Sequence, residues 1–168
     1  MITIGIDPGK GGGIAVLDDE RDPAACACKM PETERDLWDF ICAQNPSVVG
    51  RIHAFVEKVQ AAPAPVRDAA GDVQGFARMG AKSAFTFGQG YGSIRMALVA
   101  AGIPFEEVSP IRWQTAMACR TRGDKNVSKA RAQQLFPGLK ITHAIADALL
   151  IAEYGRRLRA PQKTEVPF

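Results

Sequence analysis

Residues 2–18 read ITIGIDPGKGGGIAVLD, and no other stretch restricts the fold as strongly. Ile2, Ile4 and Ile6 alternate with Thr3, Gly5 and Asp7, the period-2 pattern of a half-buried strand. Residues 14–17 form a second short apolar run. Pro8-Gly9-Lys10-Gly11-Gly12-Gly13 between them is turn chemistry, so the two runs are predicted to pair as a hairpin. Asp7 is the discordant member. A carboxylate at the end of an apolar strand is expensive to desolvate unless it meets a metal, a cation or a hydrogen-bond network. Asp-Pro-Gly also opens turns, so a capping role explains Asp7 equally well on this stretch alone.

The same anomaly recurs further along. Residues 53–59 (HAFVEKV) read as a strand with Glu57 inside it, and residues 142–159 as a helix that Thr142 caps. On that helix His143 and Asp147 are four apart and share a face, with Ala148, Ile151 and Ala152 on the apolar side. Oxygen-rich sites suit magnesium or manganese, and paired ions of this kind serve phosphodiester hydrolysis. Each residue also has an ordinary account: Asp147 as charge bias near a helix amino terminus, His143 as a surface or capping histidine. Spacing alone does not bring the four together.

The remaining elements follow from periodicity and punctuation. Residues 24–29 suit a third strand antiparallel to the second, and residues 33–45 a helix with Leu37, Phe40 and Ile41 on one face. Residues 60–92 carry many glycines and prolines and are expected to be irregular; Arg67, Arg78 and Lys82 beside Phe76, Phe85, Phe87 and Tyr91 suit contact with nucleic acid. At least two of those four rings are expected to pack as a small cluster instead. Residues 93–101 should be helical, 105–109 a strand, 111–119 a short helix after Pro110, and a helix capped by Asn126 or Ser128 should run to Phe136.

Charge is concentrated late in the chain. Between positions 111 and 131 lie Arg112, Arg120, Arg122, Lys125, Lys129 and Arg131 against Asp124 alone, whereas the whole chain is only +3. A solvated helix face explains some of these charges, and a phosphate-binding surface explains their concentration better. At 168 residues one domain over 1–160 is expected, with a tail at 161–168. No apolar run reaches membrane-spanning length and no signal peptide is evident, which points to a cytoplasmic protein. Cys26, Cys28, Cys42 and Cys119 lack zinc-site spacing and read as buried thiols.

Four motifs in order, IGIDPG at 4–9, FVEKV at 55–59, GQGYGS at 88–93 and HAIADALLIA at 143–152, resemble the RuvC-type Holliday junction resolvases of the RNase H-like superfamily, especially their compact phage and prophage versions. The resemblance spans essentially the whole chain. It implies an α/β fold with a mixed five-stranded sheet flanked by helices, the first three strands antiparallel. It further implies a homodimer that grips branched DNA, a four-way junction, and makes paired nicks with Mg2+, with Mn2+ as a possible substitute. Carried over by position, Asp7, Glu57 and Asp147 would be catalytic, metal-binding carboxylates, and His143 would fill the place of the remaining ligand. The family pattern more often has two aspartates three apart, so the histidine four before Asp147 is a departure. Lys129 would take the place of the lysine near the scissile phosphate, with Lys125 as rival. Lys82, Phe85, Phe87, Arg112, Arg122, Lys125, Lys129 and Arg131 are the expected DNA contacts. Alternative readings are a less selective nuclease acting on forks or flaps, a non-catalytic DNA-binding scaffold, and an actin-like ATPase. The last is disfavoured because the chain leaves no room for a second lobe.

Overall fold

Strands β1 (Ile2–Asp7) and β2 (Gly13–Asp18) pair antiparallel with Ile4 opposite Val16 and Asp7 opposite Gly13, as the alternation predicts. The structure is a computed structural model; it describes residues 1–20, 25–44, 51–59, 64–68, 72–77, 80–121 and 124–160, with backbone only for 64–67 and 76–77. β3 (Ala25–Lys29) joins β2 antiparallel, β4 (Ile52–Glu57) joins β1 parallel, and β7 (Phe105–Val108) joins β4 parallel. The result is a mixed five-stranded sheet in the order β3-β2-β1-β4-β7. It matches the expected sheet, including the antiparallel first three strands.

Strand alternation divides the core into two layers. Ile4, Ile6, Ile14, Val16, Ala54 and Val56 pack with α1 (Glu34–Ala43) and α2 (Ala81–Ala100) on one face. Ala15, Leu17 and Phe55 pack on the other face with α3 (Pro110–Ala116), α4 (Lys125–Leu135) and α5 (His143–Arg159). α1 begins at a reciprocal cap: Thr33 Oγ1 accepts from the Asp36 N–H at 3.1 Å and donates to Asp36 Oδ2 at 2.7 Å. The far end of α5 is tied to the β2 turn through Arg156 and Asp19, and to β4 through Arg159 Nη1 and His53 Nδ1, 3.1 Å apart.

Several expectations are corrected. Within residues 60–92, β5 (Ala64–Arg67) and β6 (Val73–Ala77) form a separate hairpin, and α2 starts at Ala81 rather than at 93. Gly88, Gly90 and Gly92 lie inside that helix, where each weakens it by about 1 kcal/mol relative to alanine and so hid its first half from a propensity reading. Burial of Ile94, Ala97 and Leu98 holds the helix in place. α4 is capped by Asp124, two residues before Asn126 and four before Ser128, the expected caps; its carboxylate accepts from the Asn126 N–H at 2.9 Å. α3 ends at Ala116 because Ala118 takes a positive φ of 54°, a position with no glycine to announce it. Of the cysteines only Cys119 is buried; Cys26 is exposed because β3 is a sheet edge, and Cys28 and Cys42 are half-buried. Of the four rings, Phe85 is exposed, Phe87 is half-buried and Tyr91 packs against the α1/α2 layer; the Phe76 side chain lies outside the described residues. Arg122 and the tail at 161–168 are also outside them. Among the described residues no helix is long and apolar enough to cross a membrane.

Candidate active site

Parity places the first two acids. Gly5 and Asp7 share the face of β1 opposite to Ile4 and Ile6, and Glu57 shares the face of β4 with Phe55, so both carboxylates project toward α5. β1 and β4 run parallel with Ile6 beside Val56, so both acids stand at the carboxyl ends of adjacent strands.

Glycine sets the third acid. A Cβ on Gly5 would run into the Ala148 carbonyl and the Ala152 backbone nitrogen, and one on Gly13 would lie 2.6 Å from the Ala144 carbonyl oxygen. α5 therefore rests directly on the backbone of β1 and β2. That seating carries Asp147, one residue before Ala148, to the carboxylates. The glycines of the first motif thus serve helix docking as well as the turn.

The three acids are coupled electrostatically. Burial, then Glu57, then Asp147 push the Asp7 pKa up from 3.8 to about 7, with Lys125 opposing. Glu57 is raised by burial and by Asp147, and the Trp113 hydrogen bond opposes that rise. Asp147 is raised by burial, against a hydrogen bond from Ser128 and the charges of Lys125 and His143. Asp7 thus meets like charges at the strand end and does more than cap a turn.

Two side chains that sequence reasoning did not place at the site hold these acids. Trp113 Nε1 donates to Glu57 Oε2 at 2.7 Å, and the buried Ser128 hydroxyl bonds Asp147. Ser128 is available because Asp124 caps α4 in its stead. Trp113 reads in sequence as a core residue of a short helix, and nothing marks its indole nitrogen.

His143 opens α5, solvent-exposed and within electrostatic reach of Asp147. Lys125 acts on both Asp7 and Asp147, and Lys129 is half-buried one turn further along α4. Arg131 is engaged structurally, its Nε donating to the Met117 carbonyl at 2.9 Å, and Arg112 is exposed on α3. Lys82 and Phe87 line a groove of about 860 Å³ with Lys10, Lys29, Glu32 and Tyr91, which reaches Gly9 two residues from Asp7. Phe85 is 68% exposed on α2.

The donor set suits a hard divalent cation: clustered carboxylates with one of them, Asp147, carrying a buried Oδ1 with no hydrogen-bond partner. Among the described residues no three His, Cys, Asp or Glu side chains close on one point as a finished ligand set.

Known structures share this architecture. A Thermus thermophilus RuvC structure aligns over 94% of this chain and 96% of its own at 24% identity and a TM-score of 0.54. T. thermophilus RuvC in complex with Holliday junction substrate aligns over 95% and 96% at 22% identity and a TM-score of 0.53. The fold is therefore RNase H-like and RuvC-type. No protein-family profile and no curated protein sequence matches the chain.

Proposed function

We propose that this protein is a metal-dependent, structure-selective DNA endonuclease that resolves four-way junctions by paired nicks during DNA recombination or repair. The observation that carries the proposal is the convergence of Asp7, Glu57 and Asp147 from β1, β4 and α5, with a buried Asp147 oxygen left unpartnered, inside a RuvC-type fold. The junction-bound Thermus structure supports branched DNA as the substrate class.

In this reading Asp7, Glu57 and Asp147, assisted by His143, hold Mg2+ or Mn2+. Bound there, the metal supplies activation of water and stabilisation of the departing 3′ oxygen. The residues contribute position and charge. Asp7 retains a proton near neutral pH that a cation must displace, so metal affinity rises with pH. Lys125, which acts electrostatically on Asp7 and Asp147, would hold a phosphate beside the acids in preference to Lys129. Arg112 and Lys82 extend the cationic surface, and Phe85 offers a ring to an unstacked base.

Paired nicks in a two-fold junction call for two copies, related by a two-fold axis. On α2, Phe85, Gly88, Gly92, Met96 and Val99 lie within about 80° of one another around the helix. Met96 is 61% and Val99 59% exposed, and a Cβ at Gly88 or Gly92 would meet nothing among the described residues. That face fits a second copy, and Met96→Asp should convert a dimer to a monomer in light scattering.

The proposal is tested by assaying Asp7→Asn, Glu57→Gln and Asp147→Asn on a labelled four-way junction in Mg2+, with junction binding measured in EDTA. All three should bind but not cut. Nicking by any of them at the wild-type rate would refute the assignment.

A further inference from the structure

Trp113 lies fully buried in α3, in the core layer that includes Phe55, Met117 and Leu149. Its single polar atom is the indole N–H, and that atom donates to Glu57 Oε2 at 2.7 Å. A buried tryptophan must satisfy this donor somewhere. Here the partner is an acid of the candidate active site, 56 residues away in sequence. The indole is a donor only and does not titrate in the working range, so it constrains the carboxylate without exchanging protons with it. It engages Oε2 and leaves Oε1 as the oxygen for other partners. The ring is fixed by core packing, so the bond fixes the carboxylate's orientation as well as its place.

We infer that Trp113 is a positioning residue: its indole N–H pins Glu57 Oε2 so that the carboxylate presents Oε1 to a divalent cation shared with Asp7 and Asp147. The inference rests on the nuclease reading for the identity of the ligand, and the experiment separates the two. The chain has two tryptophans, Trp38 and Trp113, so Trp38→Phe leaves Trp113 as the sole reporter. This variant, without DNA, is titrated with Mg2+ while indole emission is followed. Trp113 emission should change saturably, and the change should vanish when Glu57→Gln is added. Trp113→Phe, which keeps Trp38, should need at least tenfold more Mg2+ for half-maximal junction nicking, on the scale of lost groups that orient metal ligands, with junction binding in EDTA unchanged.

Emission of Trp113 that stays flat over the Mg2+ range supporting nicking would overturn the inference, as would a wild-type Mg2+ requirement in a folded Trp113→Phe protein. If Trp113→Phe does not fold, the emission titration decides alone. A Glu57-dependent emission change in a protein that nicks no branched DNA would uphold the positioning role and refute the nuclease reading.

Discussion

Replacing Asp7 with asparagine should abolish cleavage and, above neutral pH, make the protein more stable. Asp7 has its pKa raised from 3.8 to about 7 by burial and by Glu57 and Asp147, with Lys125 pulling the other way. The native state therefore binds this proton more tightly than the unfolded chain. The stability that accompanies protonation is complete below pH 3.8, declines as pH rises toward 7, and is gone above it. At about 1.4 kcal/mol per tenfold change in proton affinity, the displacement corresponds to roughly 4 kcal/mol of penalty for the ionised form. Asparagine removes the charge at nearly constant shape. It also gives up the attraction of Lys125, so a net gain on the order of 2–4 kcal/mol at pH 8 is expected, raising Tm by roughly 4–15 °C. Denaturant and thermal unfolding of both proteins in EDTA measure this, and the gain should vanish at pH 4. An Asp7→Asn protein no more stable than wild type at pH 8 would refute the clustered-acid electrostatics.

Further outcomes follow from the packing and charge. Gly5→Ala drives a methyl group into the α5 backbone and should lower stability by about 2 kcal/mol or more, while Gly11→Ala, with open space around it, should change stability by less than about 0.5 kcal/mol; urea unfolding compares them. Lys125→Ala should slow junction cleavage on the order of a hundredfold and Lys129→Ala far less, as single-turnover rates would show. Phe85→Ala should leave stability within about 0.5 kcal/mol and weaken junction binding by roughly fivefold or more in a gel-shift titration.

The sheet was legible because its signals are local. Alternation in β1 and β2, the glycine turn and the run around Glu57 each occupy a few consecutive residues, and the acids stood out by being polar where the pattern demanded apolar side chains. The first half of α2 was not legible, because three glycines suppress helix propensity and its outer face has no partner among the described residues to impose a period. Asp124 capping α4 displaced the expected cap by two to four residues, a shift that propensity alone cannot resolve. The candidate site was legible as a set of residue types but not as an arrangement. Asp147 reaches Asp7 only because Gly5 and Gly13 let α5 sit on the strand backbones, and close approach of this kind leaves no periodic trace. Trp113 and Ser128 carried even less signal, since a buried donor aimed at a carboxylate looks in sequence like any core residue. The electrostatic reach of Lys125 to Asp7 and Asp147 likewise appears only once α4 stands beside the acids.

The most direct test is cleavage of a labelled four-way junction and a linear duplex of the same sequence, side by side, in Mg2+, Mn2+ and EDTA. The account predicts symmetric paired nicks in the junction with either ion, an intact duplex, and no cutting in EDTA. Junction binding without cutting in either ion, or nicking of duplex and junction at equal rates, would contradict it.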